Sequence, residues 1–175
     1  MGQGTYAYTL QMRKMRQVVL DTNCLLMSLP KTSPYRIVWN HFLAGKYVLC
    51  ISNDILEEYQ EVLAIKTTPT IASNVISTIL NCQNIRLITP YYRFGLISSD
   101  VDDNKFVDCA ITSGADYIVT NDTHFDILEH VPFPKVSTLS IKEFSERLYI
   151  GNDFEENPTL VNEECVSYNK KGIHL

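Results

Sequence analysis

The chain has 175 residues with 45% hydrophobic and 20% charged side chains, a balance that fits one soluble domain with a sizeable core and excludes a disordered chain. A formal net charge of -5 argues against a polybasic coat for nonspecific nucleic-acid binding, yet it leaves room for a nuclease, because a carboxylate-rich metal site is itself a source of negative charge. No apolar run approaches the ~18 residues of a membrane span and no signal-peptide core is recognisable, so the expected compartment is the cytoplasm, without a membrane.

Residues 1–15 lack periodicity and read as a flexible leader; Arg13, Lys14 and Arg16 belong to a solvated tail. Val18-Val19-Leu20 is a short apolar run without alternation, as expected of a central parallel strand covered on both faces, and it ends in Asp21-Thr22-Asn23. A helical turn at 24–26, a polar loop at 30–34 and a helix over 35–45 follow. Residues 47–51 form the second strand. Ser52 is a natural N-cap for a helix over 53–63, where Ile55, Leu56, Tyr59, Val62 and Leu63 make an apolar stripe. Asp54, Glu57 and Glu61 fall on the opposite, solvated face, whereas Glu58 flanks the stripe and can look over the sheet edge.

Thr67-Thr68-Pro69 opens a helix running to about Cys82 without candidate chemistry, and 85–88 is a third strand. The loop over 89–99 holds Tyr91, Tyr92 and Arg93, residues suited either to stacking bases or to packing the loop on itself. Next comes the densest stretch, 99–122. In a helix numbered from Asp103, Phe106, Val107, Ala110 and Ile111 fall at i+3, i+4, i+7 and i+8, so the apolar stripe begins at a carboxylate. Gly114 suits the helix C′ position, and Tyr117-Ile118-Val119 is a buried strand delivering Thr120, Asn121 and Asp122 at its C-terminal end. A short helix over 123–128, an edge strand over 135–138 and a helix over 140–148 with Ser140 and Glu143 as a capping box complete the pattern.

Strands alternating with helices imply an α/β fold with a parallel sheet of about five strands. Helix N-termini and strand C-termini share one edge of such a sheet, the edge where ligands bind, and Asp21, Glu58, Asp103 and Asp122 converge there. Carboxylates gathered together repel and lose hydration, so a hard cation between them is the economical solution. Oxygen ligands without His or Cys suit Mg²⁺ or Mn²⁺. The five widely spaced cysteines lack a C-x-x-C pair and indicate neither a disulfide framework nor a zinc site.

The ordered set Val18-Val19-Leu20-Asp21-Thr22-Asn23, Ser52 through Glu58-Tyr59, Asp103-Asn104-Lys105-Phe106-Val107-Asp108-Cys109-Ala110 and Ala115 through Asp122 resembles the PIN-domain nucleases, over about residues 16–148. The D-x-D-D-N-K-F run is similar to bacterial PIN proteins grouped as toxin components of toxin–antitoxin systems. The resemblance implies a PIN-like three-layer α/β/α sandwich, with Asp21, Glu58, Asp103 and Asp122 as catalytic acids and ligands of Mg²⁺ or Mn²⁺. It implies endonucleolytic cleavage of single-stranded RNA, an antitoxin protein as partner and a homodimer, with Asn23 and Thr120 orienting ligands by hydrogen bonds. Asp108 is left as an outer group near the metal, and Lys31, Arg36, Arg93 and Lys105 as phosphate contacts; His124 reads as a surface residue.

A haloacid-dehalogenase-type phosphatase would need Asp where Asn23 stands, and a nucleotide site would need glycine in the first turn. The remaining alternatives are a PIN fold used only to bind RNA or protein, and a DNA-directed nuclease. The expected organisation is a leader over 1–15, the nuclease domain over 16–148 and a surface extension over 149–175.

Overall fold

The computed structural model describes residues 15–150, so the expected leader and C-terminal extension lie almost wholly outside the described residues. Five strands, β1 (Gln17–Leu20), β2 (Val48–Ser52), β3 (Ile85–Ile88), β4 (Tyr117–Val119) and β5 (Thr138–Leu139), form one parallel sheet in the order β3-β2-β1-β4-β5. Six α-helices are connected to it: α1 (Thr22–Ser28), α2 (Arg36–Leu43), α3 (Asn53–Lys66), α4 (Pro69–Asn81), α5 (Asn104–Ser113) and α6 (Ile141–Ile150). A 3₁₀ segment spans Thr123–His130.

The strand order explains where a site can form. From β1 the chain steps outward to β2 and β3, then crosses back to lay β4 on the other side of β1. The reversal opens a crevice beyond the C-terminal ends of β1 and β4, the place where open α/β sheets take ligands. Asp21 follows β1 directly, and Asp122 follows β4 by three residues.

Covered faces account for the apolar runs: Val18, Val19, Leu20, Val48, Leu49, Cys50 and Ile51 are no more than 2% exposed. On α2, Trp39 meets Phe42 and Phe42 meets Tyr47 in tilted ring contacts, and Tyr47 meets Phe144 of α6 edge-on with centroids 5.3 Å apart.

Capping fixes the helix starts as expected. Ile55 N–H donates to Ser52 Oγ at 3.3 Å, Ile71 N–H donates to Thr68 Oγ1 ahead of Pro69, and Ser140 and Glu143 exchange bonds in a capping box. Gly114 ends α5 in the left-handed conformation at φ 66°.

The last strand departs from expectation. It pairs at Thr138 and Leu139 rather than over 135–138, because the three-residue β4 offers partners only from Ser137 onward: Ile118 N–H donates to Ser137 O and Thr120 N–H to Leu139 O. Cys24, Cys50 and Cys109 are buried free thiols. No helix among the described residues is long and apolar enough to cross a membrane.

Candidate active site

Each acid is positioned by a different element. Asp21 is 7% exposed, held at the end of β1 by its own N–H donating to Val119 O at 3.0 Å. Its Oδ1 accepts from Asn23 N–H, capping α1, and its Oδ2 accepts from Thr120 Oγ1 at 2.8 Å. Thr120 Oγ1 in turn accepts from Asp122 N–H at 3.0 Å, so one hydroxyl ties the ends of β1 and β4 together. Thr120 orients Asp21 through its side chain, whereas Asn23 does so through its backbone.

Glu58 reaches the edge from α3. Thr22 Oγ1 donates to its Oε1 at 2.5 Å, and Lys105 Nζ pairs with its Oε2 at 2.5 Å. Lys105 also pairs with Asp102 Oδ2 at 2.6 Å. Burial works against the ammonium, but the bonds to Asp102 and Glu58 outweigh it and raise its pKa. Lys105 is therefore an internal counter-ion to Glu58 and not the open phosphate contact expected of it.

Asp103 takes the N-cap position of α5 without capping it, and its carboxylate turns to His124 instead, Nδ1 to Oδ2 at 3.2 Å. Asp122 caps the 3₁₀ segment by accepting from His124 N–H at 2.9 Å, and its Oδ1 lies 3.4 Å from His124 Nδ1. His124, although its side chain is 41% exposed as expected of a surface residue, thus bridges two of the predicted acids. The missed signal is local: an Asp that caps a turn bonds the backbone two residues on, which keeps His124 beside Asp122.

The acids feel one another. Burial pushes the Asp21 carboxyl above the ordinary aspartate range, opposed by its bonds to Thr120 and Asn23 and reinforced by the charges of Glu58 and Asp122. Burial likewise raises Asp103, with Asp100, Asp122 and Asp21 adding to it against the His124 bond. Two carboxyls made costly to ionise in one crevice are the electrostatic condition that a divalent cation relieves.

The four acids are not gathered into one ion-sized cage, however. Among the described residues, the set of acidic and imidazole groups close enough to share an ion is Asp100, Asp103 and His124, each offering an atom within 4.8 Å of the others. The charges of Asp21 and Asp122 act on Asp103 without joining that set, and Glu58 stands outside it on Thr22 and Lys105.

Other expectations resolve differently. Asp108 is fully buried, accepting from Phe94 N–H at 2.9 Å and lying 3.5 Å from Arg93 Nη1, so it anchors the loop before α5. Asn104, also buried, bonds Ile97 N–H and the carbonyls of Ile97 and Val101, a second anchor for the same loop. Arg93 pairs with Asp54, and Arg36 donates to Leu29 O and Asn40 Oδ1, so both are engaged. Tyr91 is 94% exposed, whereas Tyr92 packs edge-on against Phe94 of the same loop with ring centroids 4.7 Å apart. Beside Glu58 opens a cleft of about 560 Å³, into which Asp54, Glu57 and Glu61 also face. The helix face expected to be merely solvated is one wall of that cleft.

A family model for the PIN domain matches residues 17–124, a span that contains Asp21, Glu58, Asp103, Asp122 and His124. The chain belongs to the PIN domain family. Its PIN fold is similar to that in a solved structure of VapBC2 from Rickettsia felis bound to a DNA fragment from their promoter, with a TM-score of 0.51 and 17% identity over 71% of this chain and 98% of that one. No curated protein matches the chain. The acidic edge of this PIN domain is the crevice at the β1/β4 reversal, and its carboxylate and imidazole donors are chemically suited to a divalent metal ion.

Proposed function

We propose that this PIN domain is a Mg²⁺- or Mn²⁺-dependent endoribonuclease that cleaves single-stranded RNA, using Asp21, Glu58, Asp103 and Asp122. The observation that carries the reading is the placement of Asp21, fixed by Thr120, and Asp103, held by His124, at the strand-order reversal of a PIN domain, a family whose members are generally nucleases. When bound, a divalent cation supplies Lewis-acid polarisation of a phosphodiester and activation of water for in-line attack. The chain's own part is positional. Thr120 fixes Asp21 relative to Asp122, Thr22 and Lys105 fix Glu58, and His124 holds Asp103 against Asp122.

The similarity to a VapBC2 complex supports a further part of the proposal, that this chain is the toxin of a toxin–antitoxin pair and takes an antitoxin protein as its partner. Labelled RNA and DNA oligonucleotides incubated with the purified chain and Mn²⁺ test the activity. Internal cuts in RNA that vanish with EDTA and with Asp21→Asn are expected. Cleavage that survives both changes sinks the metal mechanism, and preferential cutting of DNA moves the assignment to a deoxyribonuclease.

A further inference from the structure

The three-group set at the crevice contains a nitrogen donor that the carboxylate reading has no place for. His124 Nδ1 lies 3.2 Å from Asp103 Oδ2 and 3.4 Å from Asp122 Oδ1, and Asp100 can bring an oxygen within 4.8 Å of the same group. Ligands at right angles on an ion with bonds of about 2.1 Å sit about 3.0 Å apart, and at the tetrahedral angle about 3.4 Å apart. The ring nitrogen is therefore spaced from the Asp103 carboxylate of that set as two ligands of one small ion would be, while Asp122, outside the set, contacts the same nitrogen. Glu58, in contrast, has one oxygen on Thr22 and the other on Lys105, so it is the acid whose oxygens are already committed.

From this geometry we infer that His124 is a direct metal ligand through Nδ1, together with Asp103 and Asp100, so that the centre is a mixed nitrogen–oxygen site favouring Mn²⁺ or a similar transition cation over Mg²⁺. Imidazole suits transition ions, whereas Mg²⁺ keeps to oxygen and water. The inference rests on the proposed metal dependence and adds to it the identity of a ligand and the class of cation.

The decisive measurement is independent of turnover. Electron spin-echo modulation on the full chain loaded with Mn²⁺ reads ¹⁴N bonded to the metal, and calorimetry reads the affinity for Mn²⁺ and Mg²⁺. Wild type is expected to show imidazole ¹⁴N modulation, retained in His41→Gln and lost in His124→Gln. In the latter, Mn²⁺ affinity falls about tenfold or more while Mg²⁺ affinity changes far less. The His124 side chain is 41% exposed, so Gln is tolerated there, and circular dichroism verifies the fold. If Mn²⁺ binds in an Asp103-dependent manner but without ¹⁴N modulation, or if modulation persists in His124→Gln, the imidazole ligand is overturned and metal dependence stands. If wild type binds neither cation, metal dependence itself fails.

Discussion

Asp21→Asn separates the cost of the site from its use. In the metal-free chain, Asp21 is 7% exposed and its ionised form is disfavoured by burial and by Glu58 and Asp122. Asn keeps an oxygen for Asn23 N–H and can donate to the second lone pair of Thr120 Oγ1, while removing the charge. Stability is expected to rise by about 0.5–2 kcal/mol, the usual gain when a functional liability is relieved. At roughly 2–4 °C per kcal/mol for a domain of this size, that is an increase in Tm of about 1–8 °C in EDTA. Mn²⁺ at a hundred times its Kd stabilises wild type by about 2.7 kcal/mol, more than the variant's lead, and stabilises the variant far less. The two melting curves should therefore exchange order between EDTA and Mn²⁺. A variant that melts below wild type in EDTA would refute the argument that these carboxylates are held together at a cost.

The same pair gives a pH signature. The folded pKa of Asp21 lies above its ordinary 3.8, so the stability contributed by its protonated form is complete below that value and lost as pH rises through the folded pKa. The Tm gap between Asp21→Asn and wild type in EDTA should accordingly close in acid and open toward neutrality, as followed by circular dichroism. Thr120→Val removes the hydroxyl that binds Asp21 and Asp122 N–H; a loss of about 1–3 kcal/mol in urea unfolding and at least about tenfold in Mn²⁺ affinity are expected. Asp108→Ala, by uncapping Phe94 N–H, should cost about 1–3 kcal/mol and speed hydrogen exchange over 89–99 while leaving Mn²⁺ affinity unchanged. At Gly114, φ is 66° and an added Cβ meets nothing within 4 Å, so Gly114→Ala should cost about 1 kcal/mol from the backbone alone in thermal melts.

Much of the architecture was legible because its signals are local. The uninterrupted apolar runs at 18–20 and 48–51 reflect strands covered on both faces, and Ser52, Gly114 and the Ser140/Glu143 pair cap helices where their chemistry says they must. The partners of polar groups were not legible. Nothing in the spacing of Lys105, Asp108 or Asn104 says that the first neutralises Glu58 while the other two clamp the loop before α5, since each bond depends on how helices pack across a sheet.

Sequence alone determined that acids stand at the C-terminal ends of β1 and β4 and near the start of α5, because strand ends and helix starts are written in hydrophobic period and capping residues. Only tertiary structure decided which of them meet. Carboxylates distant in the chain approach by fractions of a turn set by packing, and that packing put His124 between Asp103 and Asp122 and gave Glu58 to Lys105.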